Sequence, residues 1–442
     1  MKKIFNFALL FAAACTVSVN LTSCSSDDDK PMISITEQND AIKALSTDYL
    51  NDVVYPTYSN LANETENLYQ KISALKKKLK AGEAVSDADI AAICDSYKTA
   101  RKYWEQSEAF LFGAASDFEI DPHIDTWPLD VVTLAKDLQD DNKIKALDAA
   151  ESNGEARKYL TKENLGFHGI EFIFFRDGKN RSKEIFNNDA VESFEDYFKG
   201  MNVTGKEEVI FAAAVACDLR DKCYQLEVAW LGNKAPKAHR ERVAECAKKF
   251  DDYKVTVAKN GLSYGEDILA ASTPTSTHTT WKKVMETIFV SGCSGICAEV
   301  ADQKMGQAYR SAVGKPEEHK DEDGNIVKDD PNYIESPYSH NSYNDFYDNI
   351  MSIQNSLYGN IEAPSGKWDN TSAMGYLVKY NATAAAELNS KLQAALMALN
   401  NCRTSGKAFV QNPGDGMVKV AMDAVSELDD CLNETSKWIL AN

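Results

Sequence analysis

The chain has 442 residues, with 67 acidic against 48 basic side chains and a formal net charge of −19 at pH 7. Acidity on that scale repels phosphate backbones, so nucleic acid is excluded as a partner. The length is enough for two or three domains with substantial cores.

In chain order, Met1-Lys2-Lys3 is a short basic start and Ile4 to Val19 is almost wholly apolar. That run is too short for a comfortable membrane span and has the length of a signal-peptide core. It ends in Leu21-Thr22-Ser23-Cys24, an apolar residue, two small ones and a cysteine. Small residues admit the backbone to a peptidase cleft, and the cysteine sulfur carries lipid. Residues 1–23 are therefore read as a lipoprotein signal peptide, with Cys24 as the lipidation site. Residues 24–35 follow as an acidic tether, because Ser25-Ser26-Asp27-Asp28-Asp29-Lys30 is too polar to pack. Such a run directly after the lipid cysteine is similar to the surface-export signals of some Gram-negative lipoproteins. The expectation is a lipid-anchored outer-membrane protein facing outward, with a periplasm-facing one as the alternative. No later apolar run is read as a membrane span.

Beyond the tether, apolar residues recur at three- and four-residue spacing, which reads as helix. Over 38–80 the series is Ile42, Leu45, Tyr49, Leu50, Val53, Val54, Tyr58, Leu61 and Leu68, with Pro56 set to kink it or start a new turn. Ser86-Asp87-Ala88-Asp89 caps a second helix that runs to Gly113. Further helices are predicted near 129–138, 163–176, 189–231, 236–258, 279–313, 340–358, 373–401 and 415–440. Strand signals are scarce: Asp321 to Val327 is a candidate hairpin around Asp323-Gly324, inside a charged excursion (314–335) read as solvated. The fold class is all-α, built as two helical-bundle domains with a minor hairpin insertion. The boundary is set at the polar stretch near 185–205, giving an N-terminal bundle over 36–195 and a C-terminal one over 196–442. The long helices 38–80 and 189–231 each open a half, which suggests a duplication.

Eight cysteines follow Cys24, at 94, 217, 223, 246, 293, 297, 402 and 431. No CxxC occurs, which removes the zinc-ribbon and thioredoxin-like readings, and no CxxCH occurs, which removes covalent haem. Most are expected as buried apolar thiols, with room for one or two bridges.

The segment Asn164-Leu165-Gly166-Phe167-His168-Gly169-Ile170-Glu171 carries the most chemistry. On a helix, His168 and Glu171 are three apart and leave the same face. An imidazole and a carboxylate at that spacing can share one metal ion, as inward-facing Glu/His pairs do in bundles. Gly166 and Gly169 would let a backbone or ligand approach closely. The Phe and Ile run that follows puts the pair against a dry core, where charge must be paired or metal-bound. The alternative is a His–Glu hydrogen bond that only fixes packing, and two ligands are too few for a tight site.

The same residues resemble the GxHxxE signature of the imelysin family, envelope proteins linked to iron uptake and once described as peptidases. Tyr103 to Gly113, the Asp125-Thr126-Trp127-Pro128-Leu129-Asp130 loop and Ser336-Pro337-Tyr338-Ser339-His340-Asn341-Ser342 resemble further family segments, in consistent order over about residues 38–440. The resemblance implies two helical bundles with a site where they meet, holding His168 and Glu171. Where the family element has Asp between Ser and Asn, this chain has His340, which puts a second-half carboxylate ligand in doubt. Glu108 is the third candidate metal ligand, and Trp127, Asp130, Ser339, His340 and Asn341 are candidate site residues. His239, His278 and His319 are expected at the surface.

The function implied is a lipoprotein, held in the outer membrane through Cys24, that binds iron or an iron-bearing small molecule and serves an outer-membrane transport partner in iron uptake. Oxygen-rich surroundings suit iron, with zinc as the alternative. Two other classes stay open. A metal-dependent peptidase would need three ligands, an open position and a base, but neither HExxH nor GxSxG occurs. A surface scaffold or adhesin would use the His–Glu pair structurally.

Overall fold

The computed structural model describes residues 34–187, 203–320, 325–361 and 363–442. The predicted signal peptide, Cys24 and nearly all of the tether lie outside the described residues.

Helix α1 (Ile35–Tyr49) runs through a π-helical turn, Leu50–Val54, into α2 (Tyr55–Lys80). Pro56 sits in the first turn of α2, where its missing N–H costs least, so the expected new turn at proline is present. Helix α3 (Asp87–Glu105) opens on a reciprocal capping box, Ser86 with Asp89, as its sequence predicts. It stops at Glu105, eight residues short of Gly113, and a tight turn of Glu108–Phe110 follows. The short α4 (Asp121–Ile124) and the nine-residue α5 (Gly166–Phe174) carry the site described below. Between them, Asp141–Ala150 is a helix that the sequence reading missed.

Helix α6 (Gly205–Leu231) is buried along nearly its whole length, on every face. It packs along α2 and across α5. The division expected at residue 196 is therefore not where the packing divides, since α6 completes the first bundle. The two long helices expected to open duplicated halves, α2 and α6, are neighbours in that one bundle. The part of the predicted 189–231 helix before residue 203 lies outside the described residues.

The second bundle is made of α7 (Trp281–Ala312), α8 (Ser342–Tyr358), α9 (Ala382–Thr404) and α10 (Gly416–Ala441). Asn381 interrupts the helix predicted over 373–401, capping α9 after a separate Ala373–Tyr380. Helix α7 contains two π-helical segments, Thr287–Ser294 and Glu299–Lys304. By length and composition it is apolar enough to cross a membrane, contrary to the sequence reading, but 61% of its most apolar window is buried inside the fold. The bundles meet where α8 packs on α3 and where the Glu108–Phe110 turn packs on α7.

Among the described residues, two hairpins decorate this all-α fold. The expected one pairs β3 (Glu318–Lys320) with β4 (Ile326–Lys328), and its turn residues 321–324 lie outside the described set. The other pairs β1 (Phe175–Arg176) with β2 (Lys179–Asn180) through Asp177-Gly178, both at positive φ, as a two-residue hairpin turn requires. All eight cysteines after Cys24 are free thiols, seven of them buried.

Candidate metal centre

Helix α5 begins at Gly166 with φ +70°, and a Cβ there would lie 1.9 Å from the carbonyl oxygen of Ile124. Only glycine permits that contact, which presses the start of α5 onto the end of α4. The close approach expected at this glycine is therefore made by backbone. It brings Asp125, just past α4, over the His168 ring.

His168 and Glu171 leave the same face of α5 and both are buried. His168 Nδ1 lies 3.2 Å from Glu171 Oε2. Glu171 Oε1 accepts three hydrogen bonds from the second half of the chain: Tyr338 N at 3.1 Å, Ser339 N at 2.8 Å and Ser339 Oγ at 2.7 Å. His168 Nε2 lies 3.0 Å from Asp125 Oδ1, but too poorly directed for a hydrogen bond, so this buried nitrogen has no hydrogen-bond partner. Asp125 is held by Arg101, with Trp104 Nε1 donating to its other oxygen at 2.7 Å. Arg101 also reaches Glu335 Oε1 at 2.5 Å and Glu105 Oε1 at 2.6 Å.

Lys304 brings a second buried cation, with its Nζ 3.3 Å from Glu335, 3.6 Å from Glu108 and 3.8 Å from both Glu105 and Glu299. Asp345 on α8 accepts from Ser336 Oγ and Asn341 Nδ2, both at 2.5 Å, and lies 3.9 Å from Arg101 Nε. Six buried carboxylates (Glu105, Glu108, Asp125, Glu171, Glu335 and Asp345) thus face three cationic groups (Arg101, Lys304 and His168).

The protonation states follow from that imbalance. Burial opposes a charge on His168, but its contacts with Asp125 and Glu171 outweigh burial and push it up to about 9. Burial works against the Asp125 carboxylate too, yet Arg101 and His168 hold it well below the usual range. Glu171 is lowered against its burial by His168 and the Ser339 donors. Desolvation, with neighbouring carboxylates adding to it, drives Glu105 and Glu108 well up and Asp345 up to about 7. A dry site holding too many acids takes up protons or another cation.

Among the described residues, two sets of ligand atoms lie within 4.8 Å of one another: Asp125, His168 and Glu335, and Glu105, Glu108 and Asp125. The first adjoins a cleft of ≈ 400 Å³, lined by Trp127, Pro128, Asp130, Ile334 and Tyr338, with His168 on its wall. The Trp127 ring lies 3.9 Å from that of Tyr333 across the cleft rim.

The structure sorts the predicted residues. His168 and Glu108 fall in the two sets. Glu171 does not, since its oxygens are engaged by Tyr338, Ser339 and His168 and it orients the imidazole. Ser339 grips Glu171, and Asn341 grips Asp345. Asp130 caps Val131–Gln139, accepting from Thr133 N at 2.9 Å. His340 turns away at φ +58°, its ring against Gly178 of the β1–β2 turn, where a Cβ would meet Nδ1 at 2.6 Å. It does not reach the centre, and the second-half carboxylate grouped with Asp125 and His168 is that of Glu335. Glu335 ends the excursion expected to be solvated, which is buried at Asp329, Ile334 and Glu335. His239, His278 and His319 are half-buried beside Glu227, Asp267 and Asp329 instead of lying free on the surface. Sequence reasoning missed Arg101, Glu105, Asp125, Lys304, Glu335 and Asp345.

Fold and site together define an all-α protein of two bundles with a His–carboxylate centre where they meet. The imelysin family model matches residues 54–432, and the chain belongs to that family. It is 30% identical over 127 residues to iron-regulated protein A of Synechococcus elongatus, a match spanning 29% of this chain and 30% of that relative. Among solved structures, an iron-regulated protein A precursor from Parabacteroides distasonis has the same fold, with a TM-score of 0.65 at 21% identity, covering 90% of this chain and 95% of that one.

Proposed function

We propose that this chain binds iron at the centre between its bundles, with His168, Asp125 and Glu335 as protein ligands and Glu171 orienting the imidazole. The observation that carries the reading is a buried His168 Nε2 with no hydrogen-bond partner, beside a Glu335 Oε2 that also has none, where carboxylates outnumber cations. An orphaned buried polar atom costs about 1–3 kcal/mol, and a cation bound to the neutral imidazole and to the carboxylate removes that cost. One imidazole and two carboxylates favour a hard or borderline ion such as iron over a thiolate-preferring one. The names of the two relatives support the same metal.

Iron is cargo in this reading. His168 ligates as neutral imidazole, so metal loading is coupled to release of its proton. The aromatic cleft is wider than an ion and gives access for an iron-bearing small molecule as well as for the ion alone. The chain is anchored in the outer membrane through acylated Cys24, faces outward, and passes iron to an outer-membrane transport partner.

The test is elemental analysis of protein purified without a metal-affinity tag, before and after anaerobic incubation with Fe²⁺ or with ferric citrate. Wild type is expected to retain iron and His168→Ala to lose it. Absence of iron under every condition removes the reading. For the anchor, labelling with a palmitate analogue should vanish in Cys24→Ser, and protease treatment of intact cells reports the facing.

A further inference from the structure

The two overlapping ligand sets share Asp125 and differ in what their other members face. In the first, His168 Nε2 and Glu335 Oε2 are buried without hydrogen-bond partners. In the second, Glu105 and Glu108, the members it does not share, already face protein cations. Glu105 meets Asn349 Nδ2 at 2.5 Å and Arg101 at 2.6 Å, Asp125 meets Arg101 and Trp104, and Glu108 faces the ammonium of Lys304.

That ammonium is placed as a bound ion would be. Its Nζ docks on no single oxygen at close range, but lies 3.3–3.8 Å from four carboxylates, those of Glu335, Glu108, Glu105 and Glu299. Lys304 is only 1% exposed. It closes the π-helical segment Glu299–Lys304, where Met305 N reaches back five residues to Val300 O at 3.0 Å. Segments of that kind recur at functional sites. A lysine ammonium is a compact point charge with three donors, the side chain that best imitates a small cation.

We infer that Lys304 is a tethered counter-ion filling the second ligand set, so that the centre takes one metal ion where its carboxylates would otherwise hold two. The inference rests on the proposed function for the first ion only. Glu108, expected from sequence as a metal ligand, is on this reading a partner of Lys304.

The experiment measures iron bound per chain after anaerobic incubation with Fe²⁺ and gel filtration, in wild type and in Lys304→Met. One ion in wild type and two in the variant support both readings. One in each overturns the inference and leaves the proposed function standing. None in wild type but one in the variant removes the proposed function and keeps the inference, and none in either removes both. Two in wild type also overturn the inference. Should Lys304→Met fail to fold by circular dichroism, Glu108→Gln decides. Fe²⁺ affinity within about threefold of wild type supports the assignment of Glu108 to Lys304, whereas a tenfold loss or more makes Glu108 a ligand and overturns it.

Discussion

Two networks of buried charge in this molecule are built on opposite balances. Along α6, Asp218 meets Arg157 at 2.8 Å and His123 at 2.5 Å, Asp221 meets Arg220 at 2.7 Å and Arg242, and Lys222 meets Asp252 at 2.6 Å. Glu66 completes the set on Arg220. Four carboxylates face four permanent cations, burial holds His123 below its usual value, and none of these groups has an unpartnered buried atom. The centre around His168 has six carboxylates for three cations, and Arg101 Nε, Glu105 Oε1, His168 Nε2 and Glu335 Oε2 all lack hydrogen-bond partners. Burial of charge is common to both. What marks a site is the surplus of one sign, with orphaned atoms beside a cleft.

The comparison breaks most sharply at Asp218. Asp218→Ala removes the buried carboxylate shared by Arg157 and His123 and leaves Arg157 only the half-exposed Asp252, and removing one partner of a buried pair costs about 3–5 kcal/mol. Urea unfolding should show that loss while bound iron per chain stays unchanged. An equal loss of iron would mean that the two networks act as one.

The two regions should also fail at opposite ends of the pH scale. Folding raises His168 from an ordinary value near 6.5 to about 9. Its stabilisation is therefore fully present below pH 6.5 and is lost as pH rises through 9, by at most about 3 kcal/mol. Asp345, raised to about 7 by burial first and by Glu335 after Arg101's opposing charge, starts the decline earlier, its share being lost from the ordinary carboxylate range up to about pH 7. Asp218 goes the other way. Burial opposes its charge, but His123 and Arg157 hold it low, so its contribution is present above the ordinary carboxylate range and is lost as pH falls through its folded value. Unfolding midpoints measured in chelator should decline above pH 6.5 in wild type and decline less steeply there in His168→Gln, where only the raised carboxyls still titrate. An equally steep decline in the variant would show that His168 is not the titrating group.

Glu171→Gln sharpens the division of labour inside the centre. Glutamine keeps an acceptor for the Ser339 donors but loses the charge beside His168 Nδ1. Groups that orient a metal ligand are typically worth 10–100-fold in affinity. Titration with Fe²⁺ should give a weakening in that range, with one ion still bound. Complete loss would put Glu171 among the ligands.

The helices were legible because their apolar spacing survives burial, and His168 with Glu171 because three residues on one helix place them together. The rest of the centre comes from separate elements that only tertiary packing unites. Its signal was present in a weaker form. Arg101 and Glu105 continue the series Ile90, Ile93, Tyr97, Trp104 on the apolar face of α3, and Lys304 continues Cys297 and Val300 on α7. A charged residue inside an apolar stripe must be paired, which makes it the group to single out. The domain boundary was misread because a polar stretch also joins helices within one bundle.

The smallest expected effect tests where the centre stops. Asp130 lines the cleft, yet its carboxylate is spent on the N–H of Thr133, whose hydrogen bond is the main cause holding it below its ordinary value. As a cap it should cost about 1 kcal/mol on replacement by alanine, and almost nothing on replacement by asparagine, which caps equally well. If its charge instead helped to hold the cation, asparagine would be the damaging change for iron while remaining silent for stability. Thermal unfolding and Fe²⁺ titration of both variants separate the two roles. Unchanged affinity in Asp130→Asn sets the limit of the centre at the wall formed by His168, and a tenfold loss moves that limit out to the cleft rim.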